Sequence, residues 1–167
     1  MATKSDFSAA EWKTLRDAPH VVVLAVAAAG GSGLFGSIKE AMAPAGTLVE
    51  ALQGENQLLR QICDKEEIKA SIESLKDMAR SSGDFKSVQA AFRKAATDNS
   101  KAALGLLKRK GTPEDVAVFR DFLLKLGEKV ANAAKEGAFL GFGGVRVSEE
   151  ERAILAELAQ ALDVLQA

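Results

Sequence analysis

Gly31-Ser-Gly33-Leu-Phe-Gly36 fits the G-x-G-x-x-G spacing of a phosphate-binding turn, and Glu50 follows 19 residues after Gly31. In a dinucleotide-binding unit such glycines let the backbone approach a pyrophosphate. The following helix N-terminus stabilises its charge, and an acid about 20 residues on holds the ribose. The valine-rich run that starts at Val21 would then be the strand entering the turn. The competing reading makes the same stretch a buried helix, a glycine hinge and a second helix.

Other candidate chemistry is sparse. His20 is the only histidine and follows Pro19; a catalytic dyad or a zinc site needs partners that the sequence does not set beside it. Cys63, in LLRQICD, lies on an apolar helical side and reads as a small buried hydrophobe. Glu66-Glu67 and Glu149-Glu150-Glu151 stand at helix starts, where capping and the helix dipole account for acids. No Glu-x-x-His pair suggests a di-iron bundle site. The loop GAFLGFGGVRV, residues 137–147, would expose Phe139, Leu140 and Phe142 beside Gly143, as a contact surface does. Alternatively these side chains tuck under the helices.

The elements that must position these residues decide between the readings. Ser8 and Glu11 form a capping box for a first helix with Phe7, Trp12 and Leu15 on its apolar side, and Pro19 is expected to end that helix and begin another running to Ala29. Phe35, Ile38 and Met42 give Leu34 to Met42 a helical period, Pro44 breaks or restarts it, and Leu48, Val49 and Leu52 continue to Gly54; Leu58, Leu59 and Ile62 mark another short helix. Asp64-Lys65-Glu66-Glu67 opens a helix with Ile68, Ile72, Leu75 and Met78 inward, and Gly83 follows its end. Asp84 caps the next, with an irregularity expected at Asp98-Asn99-Ser100 and a stop at Gly111. Thr112-Pro113-Glu114-Asp115 is the clearest helix start in the chain. Ser148 and Glu151 box the last helix, carrying Ile154, Leu155, Leu158, Leu162 and Leu165. A nucleotide-binding sheet needs further strands, and residues 57–109 hold only capped helical periods. The expected fold is therefore all-α.

Composition fits this. The 167 residues suffice for one domain with a sizeable core, and 47% apolar with 27% charged residues is a globular balance. A net charge of −1 argues against nucleic acid as the main partner, and Lys108-Arg109-Lys110 suits the negative end of a helix. The longest apolar run, Val21 to Ala29, is about half of a membrane span, and the N-terminus lacks a signal-peptide pattern. A single cysteine suits a reducing compartment, so the expected location is the cytoplasm.

A faint repeat joins the two glycine-rich stretches: each passes from an alanine-rich helix, through glycine, phenylalanine and leucine, into a helix bearing glutamates. In this the chain resembles the tellurite-resistance TerB-like helical proteins, whose units carry an Asp-Gly loop followed by early glutamates. Glu136-Gly137 matches that loop in part, whereas Gly30-Gly31 lacks its acid. The resemblance implies a cation site, for which Glu40, Glu136 and Glu149 are the available carboxylates. The chain also resembles uncharacterised bacterial helical proteins with an F-x-x-x-E-W-x-x-L-x-x-A-P start, here Phe7 to Pro19, and a late glycine-phenylalanine loop.

The expectation is one all-α domain, a bundle of six to eight helices with two glycine-rich interhelical loops. It would act without a cofactor as an interaction or accessory module, binding a protein partner or a second copy through Phe139, Leu140, Phe142 and Gly143. A cation-binding module through Glu40, Glu136 and Glu149 is the first alternative. A nucleotide-binding enzyme through Gly31, Gly33, Gly36 and Glu50 is the second.

Overall fold

The computed structural model describes residues 1–29, 45–136 and 147–163, apart from the side chains of residues 134–136. Within them lie seven α-helices and no strand: α1 (Ala9–Ala29), α2 (Ala45–Gln53), α3 (Gln57–Ile62), α4 (Lys65–Ser82), α5 (Phe85–Lys110), α6 (Pro113–Glu136) and α7 (Glu149–Asp163). A short 3-10 turn, Lys4–Asp6, precedes α1. The all-α expectation holds.

Most helix starts are built by side chains standing in for the missing turn. Ser8 and Glu11 exchange bonds reciprocally: the Ser8 N–H donates to the Glu11 carboxylate at 2.8 Å, and the Glu11 N–H donates to the Ser8 hydroxyl at 3.3 Å. Ser148 and Glu151 repeat the arrangement at 2.7 and 3.1 Å. Asp84 accepts from the Ser87 N–H at 3.0 Å. Asp64 caps α4 through the Glu66 N–H at 3.0 Å, but Glu67 does not close the expected box, because Lys4 and Arg16 draw it away.

The first correction concerns α1. Pro19 neither ends nor starts a helix; it lies inside a continuous helix of 21 residues. Its missing N–H leaves the Leu15 carbonyl without the usual donor, a local penalty of about 3 kcal/mol. The penalty is overridden because α1 is the helix round which the others pack, in contact with α4, α5, α6 and α7. Leu15, Ala18, Val21, Val22, Ala25, Val26 and Ala27 are each no more than 1% exposed, and burial of this order contributes far more than one helical bond.

The second correction lies in α5, which runs unbroken through Asp98-Asn99-Ser100. Ser100 is fully buried and Ala96, Ala103, Leu104 and Leu107 flank it in the core, so packing holds the helix across a locally unfavourable trio. α4 is also turned from its expected orientation. Leu75 and Ser71 are buried, while Ile72 is 43% exposed. Glu67 and Ser74 of α4 meet Arg16 and Asp17 of α1, while the buried Ser71 hydroxyl has no partner among the described residues.

Phe119, Leu123, Leu126 and Val130 of α6 and Ile154, Leu158 and Leu162 of α7 complete the core. Gly127 faces Leu155 and Leu158 of α7 and Val22 of α1. A Cβ built there would stand 2.8 Å from Leu155 Cδ2, so a side chain at this position makes Leu155 shift.

Candidate functional site

The residues singled out in sequence are distributed unevenly. Gly31, Gly33, Gly36, Glu40, Phe139, Leu140, Phe142 and Gly143 lie outside the described residues, and Glu136 ends α6 with its side chain outside them. Glu50 is an exposed residue of α2, and its carboxylate accepts from Lys125 of α6 at 2.6 Å. That bond, first among the causes, holds the Glu50 carboxyl below its ordinary value. Glu149 is exposed in the first turn of α7.

The dinucleotide reading meets a direct obstacle. Residues 21–29, which would have to be its first strand, are helical, and Glu50 lies within a helix rather than at a strand end. The strand–turn–helix context that gives the glycine spacing its meaning is therefore not the one this chain builds. Among the described residues, no three His, Cys, Asp or Glu side chains are grouped as a metal ion requires.

A polar cluster missed in sequence occupies the α1–α4 interface. Asp17 is 1% exposed. Its carboxylate accepts from Arg16 Nε at 2.8 Å, from the Ser74 hydroxyl at 2.9 Å and from Lys13 Nζ. Burial opposes its ionisation, but the Arg16, Lys13 and Ser74 bonds together outweigh burial and hold the carboxyl below its ordinary value. Glu67 extends the cluster to Lys4 and, at 3.8 Å, to Arg16. Lys4 Nζ also stands 5.8 Å from the Trp12 ring centroid, and Trp12 packs on Phe7. The one sequence signal was the i,i+4 placement of Lys13 and Asp17, visible only once α1 is read as continuous through Pro19.

His20 lies one turn beyond Arg16. Both its ring nitrogens are buried with no hydrogen-bond partner among the described residues. Burial lowers its pKa, against the opposing pull of the Arg16 carbonyl and the Asp17 carboxylate, so the ring is neutral at pH 7. Cys63 caps α3, and burial pushes its thiol up to about 12. The Cys63 thiol is therefore no nucleophile near neutral pH, and both His20 nitrogens are buried. The Asp17 cluster consumes its charges in pairing α1 with α4; its chemistry is that of a clamp.

Two surfaces remain accessible. α2 exposes Val49 by 49% and Leu52 by 44%, one turn apart, while Leu48 packs partly on the core. Between the first half of α1 and the second half of α5 runs an open groove of about 680 Å³, floored by Ala10, Thr14, Ala102, Gly105 and Leu106.

The described residues define an all-helical bundle with a central buried helix. No protein-family model, curated protein or solved structure matches the chain.

Proposed function

We propose that this chain is a non-catalytic interaction module whose contacts form around its glycine-rich stretches, with a protein partner or a second copy as the occupant. The observation that carries the reading is the apolar face of α2: Val49 and Leu52 are exposed on a nine-residue helix that begins nine residues after Gly36, the last glycine of the first of those stretches. Isolated apolar residues are ordinary on a surface, but a paired set one turn apart on a helix is what association sites use. Phe139, Leu140, Phe142 and Gly143 would supply the second part of that surface. The lone, inert thiol of Cys63 fits work in a reducing compartment, which we take to be the cytoplasm. Among the described residues, no helix is long and apolar enough to cross a membrane.

The test is native mass spectrometry with circular dichroism on four proteins: wild type, Val49→Ser/Leu52→Ser, Phe139→Ser/Phe142→Ser and the combination. A wild-type dimer that these substitutions dissociate without loss of helix signal supports the reading. A wild-type assembly whose mass survives the combined variant removes these residues from the contact.

A further inference from the structure

The charge of this chain is unevenly placed. α5 carries seven Lys or Arg residues against Asp98 alone, in a protein whose net charge is −1. The imbalance bears on the groove that α5 forms with α1. Its two acids are already neutralised: Asp98 by Lys94, and Glu11 by Lys110 at 2.6 Å. Its two cations, Lys101 and Arg109, are exposed and have no carboxylate at salt-bridge distance among the described residues. They stand eight residues apart on one helix, so about 12 Å separates their backbone positions.

Between them the floor is small and apolar. The Thr14 hydroxyl turns back to the Ala10 carbonyl at 3.2 Å, leaving the floor its methyl. Gly105 is the telling residue. A glycine inside a long helix costs about 1 kcal/mol relative to alanine. Yet a Cβ at Gly105 would meet only the flexible end of Arg109, at 3.5 Å, so nothing in the chain's own packing calls for glycine there. At Gly127, by contrast, a Cβ would press on Leu155 at 2.8 Å. A glycine without an internal reason, in an open groove bracketed by unpaired cations, lets another backbone approach closely.

We propose that the α1–α5 groove docks an acidic amphipathic helix of a partner protein. Two carboxylates seven or eight residues apart on that helix pair with Lys101 and Arg109, and small apolar residues between them lie over Gly105. A helix seated in a groove between two helices, with charged ends and a close-packed middle, follows ordinary packing rules. Nucleic acid fits less well, since a phosphate backbone has no use for an apolar floor and needs a continuous run of free cations. A second copy fits less well too, because the acid-rich α7 already spends its apolar side on its own core. This surface uses none of the residues of the glycine-rich stretches, so its test is independent of the preceding one.

The probe is a fluorescein-labelled helical peptide with two Glu residues at i and i+7 and Leu and Ala between them on that face, titrated by anisotropy against the full chain. A matched peptide with Lys in place of Glu and a short DNA duplex serve as competitors. We expect saturable binding of the Glu peptide, weakened about tenfold by Lys101→Glu/Arg109→Glu, with the preference reversed toward the Lys peptide. Gly105→Leu should weaken it comparably without changing any charge, while Lys86→Glu, at a cation of α5 outside the groove with no carboxylate at salt-bridge distance among the described residues, should leave it unchanged. Circular dichroism checks that each variant keeps its helix content. No saturable binding overturns the proposal. So does equal weakening by Lys86→Glu, or indifference to Gly105→Leu, since either reduces the effect to diffuse charge. Tighter binding of the duplex would assign the face to nucleic acid instead. A wild-type dimer dissolved by Lys101→Glu/Arg109→Glu would assign it to a second copy.

Discussion

Replacing Asp17 by alanine removes the acceptor that Arg16, Lys13 and Ser74 share in the α1–α4 interface. Truncating one member of a buried ion pair costs about 3–5 kcal/mol, mostly because its partner is left uncompensated. Two features reduce that figure here. The Lys13 side chain is 55% exposed and can return to water, and Arg16 keeps Glu67 within 3.8 Å. The expected loss is therefore about 2–3 kcal/mol, and about 1–2 kcal/mol for Asp17→Asn, which retains an oxygen for Ser74. Urea unfolding followed by far-UV circular dichroism and by Trp12 fluorescence measures it. Trp12 is the only tryptophan and is 4% exposed, so it reports on α1 directly. The pH dependence gives a second reading of the same charge. The Asp17 carboxyl has a folded pKa below its ordinary 3.8, so its contribution is complete above that value and lost as pH falls through the folded one. The gap between wild type and Asp17→Asn should narrow below pH 3.8. A loss under about 1 kcal/mol for Asp17→Ala would refute the reasoning, showing that desolvation of the carboxylate cancels its bonds.

Other variants probe separate parts of the bundle. The lowered pKa of His20 means that its contribution is full above 6.5 and lost as pH falls through the folded value; His20→Gln should flatten the stability profile below pH 6.5 in urea titrations. Gly127→Val adds branched bulk where a Cβ alone meets Leu155 at 2.8 Å, and should lower stability by about 2–3 kcal/mol, measured by thermal melting. Ser148→Ala removes one half of the α7 capping box and should cost about 1 kcal/mol, with faster amide exchange confined to the first turn of that helix.

Much of this architecture is legible in the chain because it is local. Ser8, Asp84, Thr112 and Ser148 announce their helices by chemistry that acts within three residues, and the structure uses each of them. What escapes is decided at a distance. Pro19 looks like a boundary until the burial of Val21 to Ala27 against four other helices is counted. Asp98-Asn99-Ser100 looks like a break until Ser100 is seen in the core. Asp17 reads as part of a turn at Pro19, and only the presence of Ser74, 57 residues away, makes it an anchor. The α1–α5 groove was hidden for the same reason. Lys108-Arg109-Lys110 reads as a solvated helix end, and its relation to Ala10 and Gly105 exists only after α1 and α5 lie side by side.

The central position of α1 has a consequence for how the chain reaches its fold. The central helix is synthesised before every helix that covers it, since these lie in the sequence from Lys65 to Asp163. At roughly 5–20 residues per second, its valine face leaves the ribosome several seconds before α7 can close over it. During that interval it is a sticky, uncovered segment, the kind that holding chaperones bind and that drives early aggregation. Overproduction should therefore fail by co-translational clumping before it fails by instability of the finished protein, and abundant holding chaperone should recover it.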